Sequence, residues 1–149
     1  MKSPWKLNNL IFAGLQPKNE MYRFIPSMDI TIIPLRYHLP GALPSKIYEA
    51  MACQVPIVLA AEGDPQILIE RSNAGIVVDY YDTAAVLAAV NKLIEHPEER
   101  LRLGKNGRNY VLKHHTRPQI VQQLAEVIET TVTSQRSRLR NQSVAIDSN

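Results

Sequence analysis

The sequence predicts an α/β fold with a Rossmann-like parallel sheet flanked by helices. Short apolar segments alternate along the chain with amphipathic segments of helical period, and the links between them are short, as in sheets built with crossover helices. The segment DITIIPL at residues 29–35 is nearly all apolar, which is typical of a strand covered on both faces. The 149 residues are 45% hydrophobic and 21% charged, a composition that indicates a globular chain.

Each expected strand is a short apolar run next to a turn or a polar link. The first run, NLIFA, ends at Gly14, and the last, GIVV, is followed by an aspartate. The four runs cover residues 9–13, 29–35, 56–61 and 75–78. An average sheet has about five to six strands, so the sequence predicts part of a larger domain.

The expected helices have recognisable starts or stops. The segment MYRFIPSM, residues 21–28, places apolar residues at i, i+3, i+4 and i+7. Pro65 stands where a first helical turn tolerates proline. Asp82 is an expected N-cap, and the His96-Pro97 pair is an expected stop. The expected helical ranges are 18–28, 44–53, 64–72, 82–95, 98–115 and 119–133.

The expected domain division lies near residue 133. A partial Rossmann-like domain is expected over residues 1–133. Residues 134–149 are rich in Ser, Asn, Gln and Arg, so we expect a flexible polar tail there.

Composition also excludes several classes of protein. Cys53 is the one cysteine, which excludes an internal disulfide and a zinc cluster, and we expect no metal site. The net charge of +3 is too small to indicate nucleic-acid binding. No apolar run reaches the roughly 18–20 residues of a membrane span. Polar Asn8 and Asn9 follow a start without an apolar stretch, so we expect no signal peptide and a cytoplasmic protein.

The links that follow strands are the places to look for a ligand site, because ligands bind beyond the carboxyl ends of parallel strands. The link Gly41-Ala42-Leu43-Pro44 opens a helix, whose first N–H groups and dipole attract anions. Ser45 adds a hydroxyl and Lys46 a positive charge, while Glu49 lies about one turn further along. This face could therefore hold a diphosphate at Ser45 and Lys46, and a sugar diol at Glu49.

The alternative from the residues alone is structural. Ser45 would then be a helix cap, and Lys46 and Glu49 would be solvated helix surface. His38, in the same link, is a further candidate for substrate contact.

The motif EAMACQVPIV at residues 49–58, together with its neighbours, favours the ligand-binding alternative. It is preceded by DITIIPL and followed by EG at residues 62–63, by ILIE at 67–70 and by AGIVV at 74–78. These motifs, in this order, resemble the signature region of GT-B fold glycosyltransferases of the retaining family 4 type. The resemblance covers residues 9 to about 124.

The resemblance implies a role for each site residue. Glu49 would bind the ribose hydroxyls of a nucleotide sugar. The diphosphate would contact the helix-opening amides; Pro44 has no N–H to offer, so the candidates are Leu43, Ser45 and Lys46. Gly41 and Ala42, in the same link, are further expected contacts of the nucleotide sugar. The link after the first strand would contact the base, which indicates Gly14, Leu15 and Gln16. No residue is assigned as catalytic.

Two positions depart from the pattern of the family. Gly41 stands where the family has a first Glu, which touches the donor sugar. Gln54 and Val55 stand where a Gly normally ends the helix, so we expect a slightly longer last turn there.

The resemblance implies the C-terminal, donor-binding part of a glycosyltransferase, with a nucleotide diphosphate sugar as substrate and no cofactor. The expected setting is bacterial surface polysaccharide synthesis, with a saccharide or lipid-linked acceptor. The acceptor domain would be a partner in cis or a separate chain, and the isolated chain would be inactive. The alternatives are a non-enzymatic interaction module and one subunit of a split enzyme.

A stretch rich in basic residues near the end of the chain could bind a membrane surface. Residues 98–140 hold nine Lys or Arg against four Glu. This excess could hold the protein peripherally at the anionic inner face of a membrane, or it could form a solvated surface.

Overall fold

The computed structural model describes residues 9–37 and 40–146, with side chains as far as residue 135. His38 lies outside the described residues. The described strands are β1 (Thr31–Pro34), β2 (Ile57–Ala60) and β3 (Gly75–Val78). The helices are α1 (Met21–Phe24), α2 (Ser45–Ala52), α3 (Asp64–Ser72), α4 (Thr83–Glu95), α5 (Pro97–His114) and α6 (Arg117–Ile146).

The three strands form one parallel sheet in the order β1-β2-β3, which confirms the predicted fold class. Thr31 pairs with Ile57, and Ile57 in turn pairs with Gly75. Both crossovers step in the same direction along the sheet, so right-handed connections place α2 and α3 on the same face.

The core surrounds β2, whose four residues are all buried. On one face, Val58 packs with Ala89 and Leu93 of α4 and with Leu103 of α5. Successive strand residues point to opposite faces, so Ile57 and Leu59 point to the other side. Helices α2 and α3 also contact β2, and they contribute the fully buried Ile47, Met51 and Ile69.

The predicted strand at residues 9–13 is absent. Residues 10–17 have no regular secondary structure, and Ile11 is 86% exposed. An apolar run forms a strand only when a neighbouring strand accepts its backbone hydrogen bonds. Among the described residues, β1 pairs with β2 alone, and no strand pairs with residues 10–13.

The predicted helix at 18–28 is broken into short pieces. Two 3₁₀ turns, Lys18–Glu20 and Ile25–Ser27, flank α1. Pro26 lies in the second turn, and it has no N–H to continue the α-helical hydrogen bonds. Of the four apolar residues on the predicted face, Ile25 is buried and Met21 and Met28 are half-buried, whereas Phe24 is exposed.

The later elements agree closely with the sequence. The bounds of α3 and β3 match the predicted ranges, and Asp82 caps α4 by accepting a 2.8 Å hydrogen bond from the Ala85 N–H. The expected longer last turn of α2 is wrong. The helix ends at Ala52, and Gln54 itself adopts the left-handed φ of 61° that a glycine usually supplies.

The chain divides into two compact units, one ending at Asn109 and one beginning at Tyr110. In the second unit, Gln119 Oε1 accepts hydrogen bonds from the N–H and the hydroxyl of Thr116 at 2.9 and 2.7 Å. The last helix was expected to end near Thr133. It continues to Ile146, through most of the segment expected to be a flexible tail.

Gly104 provides a test of the packing at the end of α2. A Cβ added at Gly104 would contact the Gln54 carbonyl oxygen more closely than real Cβ atoms come. Inside a helix, Gly→Ala normally stabilises by about 0.5–1 kcal/mol. Here we expect Gly104→Ala to destabilise by about 1–3 kcal/mol, as overpacking does, measured as a lower urea midpoint.

The matched control is Lys105→Ala, the next residue of α5, whose side chain is exposed. We expect its midpoint to stay close to that of the unchanged chain. A midpoint for Gly104→Ala at or above the unchanged value would contradict this account of the packing.

Candidate functional site

The start of α2 separates an apolar face from a polar one. Ile47, Ala50 and Met51 are buried, whereas Ser45, Lys46 and Glu49 are exposed. Ser45 and Glu49 are four residues apart and so lie on the same side of the helix. Three of the predicted side chains therefore form one solvent-facing surface at the carboxyl end of β1.

Backbone amides at this helix start are suited to an anion. Pro44 is the N-cap and α2 begins at Ser45, so the alternative that Ser45 is the cap is wrong. The first N–H groups of a helix have no intrahelical partner, and the helix dipole is positive there. The N–H groups of Ser45 and Lys46, together with the Lys46 ammonium, form an anion-attracting end.

A hydrogen bond fixes the loop before α2 to the start of α3. The Gly41 N–H donates to Asp64 Oδ2 at 2.7 Å. Gly41 has a φ of +77°, in the left-handed region that favours glycine. The structure thus brings together the links that follow β1 and β2. The sequence did not identify Asp64 as a site residue, although its place in a strand-to-helix link was a usable signal.

Gly14 and Gln16 lie in the irregular segment at residues 10–17. Gln16 Nε2 donates to the Ala13 carbonyl at 2.5 Å, which closes a local turn. Within the described residues, no hydrogen bond joins Gly14 or Gln16 to the start of α2. Their assignment to the base therefore stays a prediction.

The end of α2 carries the single cysteine in a charged setting. Partial burial is the main cause that raises the pKa of the Cys53 thiol. The Arg108 guanidinium lowers this pKa, and the Glu49 carboxylate raises it further. Arg108 is held in place by a 2.7 Å hydrogen bond from Nη1 to the Ala52 carbonyl. The charge of Glu49 therefore affects the pKa of the Cys53 thiol, a group that can be labelled chemically.

A cavity of about 470 Å³ lies at the carboxyl ends of the three strands, where the sequence predicted a site. None of the predicted site residues that the structure describes lines it. Its charged lining comprises Arg36 and three carboxylates, Glu62, Glu70 and Asp79. This acidic balance disfavours a diphosphate, so the start of α2 remains the better anion site.

Three residues of the basic stretch have structural partners. Arg100 Nη1 donates to the Leu93 carbonyl at 2.6 Å, Arg102 pairs with Glu99 at 2.8 Å, and Arg108 bonds to α2. Part of this positive charge therefore serves packing.

Within residues 9–37 and 40–146, no group of three or more His, Cys, Asp or Glu side chains is placed to hold a metal ion. No helix in the same part of the chain is long and apolar enough to cross a membrane.

An open parallel sheet flanked by helices, with polar links at its carboxyl edge, defines the Rossmann-like class of α/β domain. Within that class, the chain belongs to the family of glycosyl transferases group 1, whose family model matches residues 6–110. The resemblance to GT-B glycosyltransferases of the family 4 type is thereby confirmed.

Named relatives agree with this family. Over 89 residues the chain is 34% identical to alpha-D-kanosaminyltransferase of Streptomyces kanamyceticus, covering 57% of this chain and 22% of that protein. Over 123 residues it is 30% identical to spore coat protein SA of Bacillus subtilis, covering 82% of this chain and 32% of that protein. The chain therefore spans less than a third of the length of these relatives.

A solved structure also resembles the chain. Sucrose-phosphate synthase from Thermosynechococcus elongatus superposes with a TM-score of 0.66 at 25% identity. The match covers 74% of this chain and 27% of that one.

Cys53 offers a ligand-free test of the charge on Glu49. Glu49→Gln removes a negative charge that disfavours the thiolate, so we expect the pKa of Cys53 to fall. Alkylation by iodoacetamide at a fixed pH below that pKa should then be faster, because the thiolate is the nucleophile. Arg108→Gln removes a positive charge and should slow the reaction.

The control is Glu70→Gln, which removes a carboxylate from α3 and is expected to leave the pH–rate profile of Cys53 unchanged. A profile for Glu49→Gln shifted to higher pH, or not shifted, would contradict the described placement of Glu49.

Proposed function

We propose that the chain is the donor-binding portion of a retaining glycosyltransferase. The whole enzyme would transfer a sugar from a nucleotide diphosphate sugar to a saccharide or a lipid-linked acceptor. The observation that carries this proposal is the polar face of α2, on which Ser45, Lys46 and Glu49 are exposed together within the segment that the family model matches.

The diphosphate is assigned to the first turn of α2. Amide N–H groups of Ser45 and Lys46 point out of the helix start, and Leu43 offers one more N–H in the loop. The Lys46 ammonium adds a point charge. When the bond between the sugar and the diphosphate breaks, these donors stabilise the negative charge that develops on the leaving group.

The ribose is assigned to Glu49. An ionised carboxylate is an acceptor with two oxygens, and it can accept a hydrogen bond from each hydroxyl of a diol. Glu49 lies about one helical turn, roughly 5–6 Å, beyond Ser45. That separation fits a ribose attached to a diphosphate at the helix start.

The donor and acceptor classes are supported by the names of relatives. One is a GDP-mannose-dependent phosphatidylinositol monomannoside mannosyltransferase of Mycolicibacterium smegmatis, 28% identical over 108 residues. By analogy with this name, we propose a nucleotide sugar as the donor and a lipid-linked molecule as the acceptor. Surface polysaccharide synthesis in the cytoplasm, with peripheral contact between the basic surface and the inner membrane face, is part of the same proposal.

Nucleotide titrations test the two assignments separately. Lys46→Ala should weaken the binding of the nucleoside diphosphate (UDP or GDP) and also that of inorganic pyrophosphate. The reason is that the Lys46 ammonium is proposed to contact the phosphate groups that these ligands share. Glu49→Ala should weaken the binding of the nucleoside diphosphate about 10-fold, which is the loss expected when one hydrogen bond to a charged group is removed. It should leave pyrophosphate binding unchanged or tighter, because it removes a like charge. Isothermal titration calorimetry gives each dissociation constant.

The matched control is Glu95→Ala, which removes an exposed carboxylate at the end of α4 and should change none of these constants. A chain that binds neither UDP nor GDP at millimolar concentration would favour the non-enzymatic interaction module.

The isolated chain is proposed to be inactive as a transferase. It spans 32% or less of the relatives named above, and the acceptor domain is proposed to be a partner in cis or on a separate chain. Lys46 lies in the first turn of α2, and Arg36 lines the cavity at the strand ends. We expect no release of UDP or GDP from a sugar nucleotide above the uncatalysed rate in a coupled assay. Measurable turnover by the purified chain would overturn this part of the proposal.

A further inference from the structure

We propose that two copies of this chain pair through the outer edge of β1 and join their sheets into one continuous sheet. The inference goes beyond the proposed function and does not depend on it, because it concerns an edge strand and not the donor-binding face of α2. It begins from the position of β1 in the sheet order β1-β2-β3. Among the described residues, no strand pairs with the side of β1 that faces away from β2.

The backbone of β1 offers hydrogen-bonding groups on that side. The Thr31 N–H donates to the Pro56 carbonyl at 3.0 Å. The Leu35 N–H likewise donates to the Ala60 carbonyl at 3.0 Å. The residues that alternate with these two point their N–H and C=O groups the other way, so both groups of Ile32 face outward. An edge of this kind is a template for pairing with another chain.

An apolar surface lies beside the same edge. Ile32 is 51% exposed, and it borders a groove of about 400 Å³. The lining of this groove includes Pro34, Ala60 and Val86, so the groove leaves hydrophobic surface in contact with water. Covering that surface with another apolar side chain is favourable, and a strand paired with β1 would bring one there.

Two-fold symmetry determines how two identical edges pair. A two-fold axis perpendicular to the sheet makes the two β1 strands antiparallel, and it passes beside Ile32 when each Ile32 exchanges two hydrogen bonds with the other. Pro34 then lies opposite residue 30 of the second copy. Its carbonyl can accept there, but it has no N–H to donate, which is tolerable in a short edge ladder. The two Ile32 side chains point to the same face of the sheet and contact each other.

Charge at the two ends of this edge favours the antiparallel arrangement. Asp29 precedes β1 and Arg36 follows it, and both are exposed. Arg36 contacts the ring of Tyr37, which is itself exposed, so its guanidinium stays at the surface. Antiparallel pairing at Ile32 places Asp29 of each copy next to Leu35 and Arg36 of the other, which gives two contacts of opposite charge. An in-register parallel arrangement would instead bring like charges together.

The alternative occupant of this edge is a strand of a longer protein, because the chain spans less than a third of the length of the relatives named above. The two occupants differ in what the 149-residue chain does by itself. A chain that pairs with its own copy dimerises as its concentration rises. A chain whose edge accepts only another segment stays monomeric.

Sedimentation equilibrium of the 149-residue chain measures the mass of the assembly. We expect a concentration-dependent transition from 16.8 kDa to twice that mass. Ile32→Lys should raise the dissociation constant of the dimer about 10-fold, because it removes an apolar contact and puts two like charges directly opposite each other. The matched control is Ile94→Lys, at an isoleucine of α4 that is 58% exposed; it should leave the constant unchanged. Equal urea midpoints establish that the variants are folded.

Charge reversal tests the register of the pair. Asp29→Arg and Arg36→Asp should each raise the dissociation constant about 5-fold at low salt, whereas the chain that carries both substitutions should dimerise as the unchanged chain does. A chain that stays monomeric at millimolar concentration, or a dimer that Ile32→Lys leaves unchanged, overturns the inference. A double variant that dimerises no more tightly than the single variants overturns the antiparallel register.

Discussion

Burial of β2 on both faces is the constraint on which the rest of the structure depends. Its four residues exclude water only because α4 and α5 pack on the side of Val58 while α2 and α3 cover the other side. Parallel pairing with β1 and β3 then brings all three carboxyl ends to one edge. The residues proposed to contact the donor's diphosphate and ribose lie in the link before α2 or in the first two turns of α2, next to that edge.

The same packing explains why α2 has a usable polar face. The side chains of Ile47 and Met51 are fully buried in the core, and this burial fixes the rotation of α2 about its axis. Ser45 and Glu49 are consequently turned towards solvent. The cavity at the strand ends has a volume of about 470 Å³, yet its acidic lining suits a diphosphate less well. Electrostatics, rather than volume, therefore favours the start of α2.

Local signals predicted the second half of the fold better than the first. The bounds of α3, β3 and α4 follow from a proline in a first turn, a short β-branched run and an aspartate cap, all of which act within a few residues. The run at 9–13 failed because strand formation needs a partner that sequence periodicity does not reveal. Of the site, the α2 residues were predictable from the motif, whereas Asp64 was not, since its contact with Gly41 joins residues 23 positions apart.

The contact between α5 and the end of α2 has a consequence for how this family member tolerates sequence change. Gln54 presents its carbonyl oxygen where Gly104 has no side chain, and it does so from a left-handed backbone conformation. Positions 54 and 104 are therefore coupled through packing, because a side chain at 104 would meet the backbone of residue 54. Any residue able to adopt a positive φ is admissible at 54, but a larger residue at 104 requires a simultaneous rearrangement of the α2 terminus.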